Sequence, residues 1–312
     1  MFQLATKQQV VDIGGVKVGG QPGEYPCVLC SSIFQKGDRV FEGKKRKEGF
    51  NEAYARELLQ NQDKLANETG VQGMADIVAN TGEEFKRFID FVVENSTMPF
   101  CVDAWVMKPK LEGVKYCADQ NLMDRMFTVW EQDLETEIKE IAAMGVKNVL
   151  LVAFDQEDQM PSGRISGTQK LLDAIEKAGA KFNTIVDTSV MNGPATAFCS
   201  IANRMVKEKW GFPASSAPSN GSYMWKAARE MWGFKGWSAT DAALESLAAF
   251  TFHDMIFSGP MAGAARLFPA VALTEAFLAA YVFGETKKLP ALETHPLYKL
   301  FPDFAEQLKG MQ

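Results

Sequence analysis

The sequence predicts an α/β fold: a (β/α)8 TIM barrel with an N-terminal β-hairpin, forming one domain over residues 1–312. Three observations predict it. About eight short strand-like runs alternate with helical segments along the 312 residues, the number that closes a barrel. Many of those runs are continuously apolar, as parallel strands buried on both faces should be. No glycine fingerprint follows the first of them, as it would in an open dinucleotide-binding sheet, and no internal repeat, low-complexity tract or linker divides the chain.

The run Val10-Val-Asp-Ile-Gly-Gly-Val-Lys-Val alternates around Gly14-Gly15, which signals a hairpin with a tight glycine turn. Such a hairpin would cap the barrel floor. Its glycines do not make a phosphate loop, because no Gly-Lys-Ser/Thr follows and the next helix begins only near Asn51. Residues 27–34 read as the first barrel strand, and a basic loop over 36–49 leads into a helix at 51–68. The second strand, 73–79, is followed by a Thr81-Gly-Glu-Glu cap and a helix through Glu94. The next four units pair strand 99–106 with helix 110–120, strand 125–130 with helix 134–143, strand 148–154 with helix 167–178, and strand 184–188 with helix 195–209. A short strand of small residues at 213–217 precedes helical segments at 224–232 and 239–252. Strand 254–257 closes the barrel, and 261–283 is the long final helix. Pro269, Thr274 and Glu275 interrupt its apolar stretch, so it reads as a buried or amphipathic helix and not as a membrane insertion.

Composition narrows the chemistry. Thirty-three Lys plus Arg against 39 Asp plus Glu give a net charge of −6, without the basic footprint of a nucleic-acid binder. Only His253 and His295 are present, which excludes a His-rich zinc site or an imidazole relay. Carboxylates, amides and backbone groups must therefore carry most of any reaction. Five cysteines are too few and too odd for a disulfide framework. Cys27 and Cys30 spell C-x-x-C, but on a strand they point to opposite faces, poor geometry for a dithiol. The N-terminus shows no basic n-region followed by an apolar h-region, so the expected location is cytoplasmic.

In a (β/α)8 barrel, chemistry gathers at the C-terminal strand ends. Those ends supply Asp103, the run from Thr128 to Glu131, Asp155, Asp187, and Ser219-Asn220. A ring of carboxylates and amides without histidine suits three chemistries: divalent-metal binding, glycoside hydrolysis by a carboxylate pair, or bidentate recognition of a donor-rich heterocycle such as an aminopyrimidinone. A strand-end Asp can equally be a helix cap or loop anchor. Asp103 and Asp187 stand out because each directly follows an apolar strand core, whereas Asp155 sits in the acidic run Asp-Gln-Glu-Asp-Gln. His253 reads as a structural hydrogen-bonder, and Cys101, Cys117 and Cys199 as small core residues.

The strings VVDIGGVKVGGQPGEYPCVL, PFCVDAW, ADQNLMDRMF, FNTIVDTSV, KEKWGFPASSAPSN and SGPM…FPAVAL resemble the tetrahydromethanopterin S-methyltransferase MtrH family over nearly the whole chain. Within that family, the sequence more closely resembles the soluble bacterial members of glycine betaine metabolism that methylate tetrahydrofolate from a methyl-corrinoid. The resemblance implies a TIM barrel, a homodimer, tetrahydrofolate as substrate, and methylcobalamin carried by a corrinoid-binding partner protein, with no metal held by this chain; the alternative readings are a tetrahydromethanopterin-dependent methyltransferase subunit and a pterin-binding scaffold without turnover. It implies pterin contacts from Asp103 and Asp187, and Asn220, with Ser219 before it, approaching N5. The fourth barrel strand departs from the pattern by lacking the family's Asn, so Thr128 or Glu131 is expected to supply that contact. Asp187 and Asn220 are the expected catalytic pair, with Asp155 as an additional pterin contact. Lys108, Lys110 and Arg164 are candidates for holding a glutamate tail at the rim.

Overall fold

The computed structural model describes residues 2–43, 46–130 and 135–312, with the backbone alone at Glu135. The N-terminal hairpin forms as its alternation predicts, from β1 (Val10–Ile13) and β2 (Val16–Gly19). Gly14 and Gly15 have positive φ at its turn, a conformation that costs glycine little. Eight parallel strands then close into a barrel: β3 (Val28–Ile33), β4 (Gly73–Val78), β5 (Phe100–Asp103), β6 (Met126–Trp130), β7 (Asn148–Val152), β8 (Asn183–Asp187), β9 (Ala214–Ser216) and β10 (Met255–Pro260). Each strand pairs with its sequence neighbour, and β10 closes the ring against β3.

Strand alternation sorts the core into two layers. Val28, Cys30, Met74, Cys101, Phe127, Leu150, Ile185 and Met255 point inward and pack with Val11, Ile13, Val16 and Val18 of the hairpin. The hairpin is thus a plug for the barrel floor, pinned where Gly14 N–H donates to Asp124 O at 2.8 Å. The outward residues of the same strands, including Ile77, Val102, Trp130 and Leu151, pack beneath the helices. Cys27 lies in the outer layer and Cys30 in the inner one. All five cysteines are free and buried, and burial pushes both of these thiols well up from their ordinary value.

The helices are α1 (Glu52–Thr69), α2 (Gly82–Asn95), α3 (Met107–Asp119), α4 (Glu135–Ala143), α5 (Pro161–Ala178), α6 (Thr196–Trp210), α7 (Pro218–Met224), α8 (Lys226–Phe250) and α9 (Ala264–Thr286). Asn51 and Thr81 cap α1 and α2, each accepting a backbone N–H three residues on. Several elements differ from expectation; strand β5, for one, ends at Asp103 and not at 106. Helix α5 begins six residues early because Pro161 opens it at a first-turn position, where a missing N–H costs nothing. The expected segments 224–232 and 239–252 are instead the end of α7 at Met224, a break at Trp225 (φ −80°, ψ 71°), and α8 from Lys226 to Phe250, kinked at Gly233 where φ is 64° and ψ is −174°. Two further helices, α10 (Pro296–Leu300) and α11 (Pro302–Lys309), follow α9, each again opened by a proline. Helix α9 has the length and apolarity of a membrane span, yet it lays Leu267, Phe268, Val271 and Ala272 against β3 and β10 residues in one core cluster.

Candidate active site

A cleft of about 240 Å³ opens inside the barrel mouth, lined by Asp76, Asp103, Asp187, Ser219, Asn220 and Trp105 among others. Its walls follow from the alternation. Asp103 and Asp187 end β5 and β8 with inward side chains, two positions beyond the inward Cys101 and Ile185. Asp187 is buried. Its Oδ1 accepts the Ser189 N–H at 2.8 Å, and Oδ2 accepts Ser215 Oγ–H at 3.4 Å. Ser189 is held at φ 49°, a left-handed conformation that non-glycine residues adopt at some cost. Its buried Oγ has no partner among the described residues and faces the cleft.

Asn220 enters from α7 and is exposed at the cleft wall. Ser219 Oγ donates to Phe257 O at 2.8 Å, so this hydroxyl ties α7 to β10 instead of facing a ligand. Behind α7, Arg266 Nε lies 2.7 Å from Asp241 Oδ2, and its Nη2 reaches Tyr223 Oη at 3.2 Å. Ser222 Oγ donates to the other Asp241 oxygen, and Trp237 Nε1 donates to Ser222 O at 3.0 Å. This short helix is therefore fastened at Ser219, Ser222 and Tyr223, the residues flanking Asn220.

Asp76 is the residue that reading the strand ends misses, because it lies mid-strand on β4. It faces Cys101 in register and lines the cleft floor. It is only 5% exposed, and its Oδ1 has no partner among the described residues. Burial first, and then the Asp103 carboxylate, push its carboxyl well above the usual carboxylate range, while a hydrogen bond from Cys101 pulls the other way. An Asp inside Gly73-Met-Ala-Asp-Ile-Val is itself the missed signal, since a buried strand tolerates a carboxyl only with a partner or a task. Ser32, Gln35, Ser189 and Trp105 are further lining residues that the strand ends do not announce; Trp105 is 85% exposed at the rim.

Several expected contacts are not brought to the cleft. Thr128 faces the outer layer, because the inward positions of β6 are Phe127 and Val129, and its Oγ1 donates to Val102 O at 3.2 Å. Glu131 lies outside the described residues. Asp155 turns away to Lys170 at 3.1 Å and to Ser166 at 3.3 Å, and it accepts the Glu157 N–H, which holds its carboxyl below the ordinary value. Lys110 is buried, donating to Val129 O at 2.9 Å and pairing with Glu137 at 2.6 Å. Arg164 is engaged by the backbone oxygens of Gln159, Met160, Thr188 and Ser189. Lys108 alone of the three cations is exposed.

His253 is structural, as expected. Its Nδ1 lies 3.0 Å from Thr251 O and its Nε2 2.8 Å from Ser216 Oγ, and burial lowers it to about 4. His295 caps α10 by accepting the Leu297 N–H at 3.1 Å, and burial lowers it to about 3. Among the described residues no group of three His, Cys, Asp or Glu side chains is placed to hold a metal ion. A larger groove of about 910 Å³ runs between α6 and α8, but no charged residue lines it. Convergent polar groups, and not volume, mark the reactive site.

Known proteins share this architecture. Solved structures of the same fold include dihydropteroate synthase from Xanthomonas albilineans in complex with 7,8-dihydropteroate (TM-score 0.61, 14% identity, 87% of this chain and 99% of that one). Another is the Yersinia pestis enzyme with a pterin–sulfa conjugate (TM-score 0.58, 12% identity, 88% and 100%). At these identities the likeness is one of fold. In sequence, the chain is 29% identical to the MtrH-type protein of tetrahydromethanopterin S-methyltransferase from Methanopyrus kandleri, over 95% of this chain and 98% of that protein. It is also 29% identical to the corresponding protein of Methanosarcina barkeri, over 96% and 100%. The family profile for the tetrahydromethanopterin S-methyltransferase MtrH subunit matches residues 6–286. With that match over most of its length, this (β/α)8 barrel belongs to the tetrahydromethanopterin S-methyltransferase MtrH subunit family.

Proposed function

We propose that this chain transfers a methyl group between N5 of a tetrahydropterin and the cobalt of a corrinoid carried by a partner protein. The observation that carries the reading is the pairing of inward Asp103 and Asp187 with Asn220 across one small cleft. Two carboxylates match the adjacent N–H donors of a 2-amino-4-oxopyrimidine edge, and charge-assisted bonds of this kind are stronger than neutral ones. Asn220, an amide with both donor and acceptor, stabilises the changing charge at N5.

In the methylating direction the N5 lone pair attacks the methyl carbon, the carbon–cobalt bond breaks with its electron pair remaining on cobalt, and the N5 proton leaves to water. The corrinoid supplies an activated methyl group and a cobalt(I) leaving group. This chain contributes alignment, which is worth several kcal/mol of barrier in a two-body transfer. No imidazole is required, consistent with two histidines that are buried and held well below their ordinary pKa.

The partner docks over the mouth, where Trp105 stands exposed. The homodimer implied by the resemblance finds its best support in the apolar groove between α6 and α8, with Met224, Trp225 and Leu247 at its walls. Tetrahydrofolate is the pterin implied by the resemblance to bacterial members, whereas the curated relatives carry tetrahydromethanopterin in their names and favour that pterin. Anaerobic equilibrium binding of both decides the matter. Micromolar affinity for one and at least tenfold weaker affinity for the other assigns the substrate; binding of neither removes the pterin reading.

A further inference from the structure

We propose that Asp76 is a further pterin-binding residue, the one that meets the heterocycle's deepest edge through its unpartnered Oδ1. The inference rests on the pterin reading above. Three observations place it. Asp76 projects from the inward face of β4 and lines the floor of the cleft, below the level of Asp103 on the paired strand. It is shielded from solvent, with only 5% of it exposed, and Oδ1 has no partner among the described residues. Its charged and thiol neighbours are Asp103 and Cys101 on β5, Cys30 on β3, and Asp38 in the segment after β3, while Ser32, its register partner on β3, turns its Oγ to Gln35 Oε1 at 3.3 Å. Arg46 attends to Asp38, Glu84 and the carbonyl of Val78, not to Asp76.

Burial and the Asp103 carboxylate both push a carboxyl in that setting toward its acid form. It therefore differs chemically from Asp103. A carboxylate offers acceptors only, whereas a carboxylic acid offers one donor beside one acceptor. Asp76 accordingly selects a ring edge on which an N–H stands next to an acceptor, such as the N3–H and C4 carbonyl of a 2-amino-4-oxopterin. Asp103 and Asp187 then take the single N–H donors that remain, at the 2-amino group and N8. The arrangement also explains why a buried strand tolerates an orphaned polar atom: an unmade buried hydrogen bond costs about 1–3 kcal/mol in the empty protein and is recovered when the ligand seats.

The test compares wild type, D76N and D76A for anaerobic binding of tetrahydrofolate and of tetrahydromethanopterin, with thermal unfolding of each unliganded protein. Asparagine keeps one donor and one acceptor and should bind within about threefold of wild type; alanine should lose at least tenfold in affinity, about 1.4 kcal/mol. Both variants should unfold at or above the wild-type temperature, because each removes a buried carboxyl with an unpartnered oxygen. Unchanged affinity in D76A overturns the proposal, as does a D76N loss equal to that of D76A. A fall in unfolding temperature that tracks the lost affinity assigns Asp76 to structure and overturns it too. Failure of wild type to bind either pterin is a separate result, which removes the pterin reading and this inference with it.

Discussion

At the residue scale, the cleft separates carboxyls that look alike in sequence by what faces them. Asp155 is satisfied by Lys170 and Ser166 at the surface, Asp187 by Ser189 N–H and Ser215 inside the mouth, and Asp76 by little at all. If Asp103 accepts N–H groups of the pterin, Asp103→Ala should weaken pterin binding roughly ten- to hundredfold, the worth of a hydrogen bond to a charged group. Isothermal titration under anaerobic conditions measures this, and an affinity unchanged from wild type would remove Asp103 from the site. Asp103 and Asp187 were legible because each closes an apolar run. Asp76 was not, because it stands in the middle of such a run, where no strand end draws attention to it. Lys110 and Arg164 misled because a cation near a mouth in sequence is free only if no carbonyl or carboxylate folds onto it; here Val129, Glu137 and the Thr188–Ser189 backbone do.

At the element scale, the hairpin and α7 do different work on the same barrel. The hairpin buries Ile13 and Val18 fully against the inward strand residues. Ile13→Ala should lower unfolding stability by about 3 kcal/mol, the ordinary cost of a large-to-small core change, while leaving pterin affinity within a factor of two, because the floor and the mouth are opposite ends of the barrel. Denaturant melts with a parallel binding titration read both quantities. Helix α7 carries Asn220 and is braced from behind by Asp241 and Arg266. Arg266→Ala leaves the fully buried Asp241 without its cation and should cost roughly 3 kcal/mol. By loosening Asn220 it should slow methyl transfer by roughly ten- to hundredfold, with pterin binding by Asp103 and Asp187 far less affected. Equal loss of both, or of neither, would detach the brace from catalysis. The strands and the hairpin were legible from pattern alone, since period and glycine placement decide them. The two tail helices and the early start of α5 were not, because each opens on a proline whose first-turn role no apolar periodicity announces.

At the scale of the whole molecule, buried titratable groups set opposing pH trends. Burial raises Glu275 on α9 to about 8. The folded chain therefore keeps a proton that the unfolded chain releases near 4.5, and this group's contribution to stability is lost as pH rises from about 4.5 through 8. His253 and His295 work the other way. Their folded values near 4 and 3 lie below the ordinary 6.5, so their contribution is full above 6.5 and is lost as pH falls through those values. Glu275→Gln should flatten the decline between pH 5 and 8 by up to about 1.4 kcal/mol per pH unit, one linked proton. Urea melts across that range show it, and a slope identical to wild type would mean that Glu275 titrates normally.

The same architecture leaves one small polar mouth, with exposed Trp105 at its rim, as the place where the proposed function has a carried methyl group arrive. The most direct measurement mixes the protein anaerobically with methylcobalamin, free or on a corrinoid protein, and with each tetrahydropterin, following the cob(I)alamin absorbance. Wild type should release cob(I)alamin with at least one pterin, and Asp187→Asn should do so at least about tenfold more slowly. No cob(I)alamin with either pterin and either corrinoid source, or an Asp187→Asn rate equal to wild type, would contradict methyl transfer at this cleft.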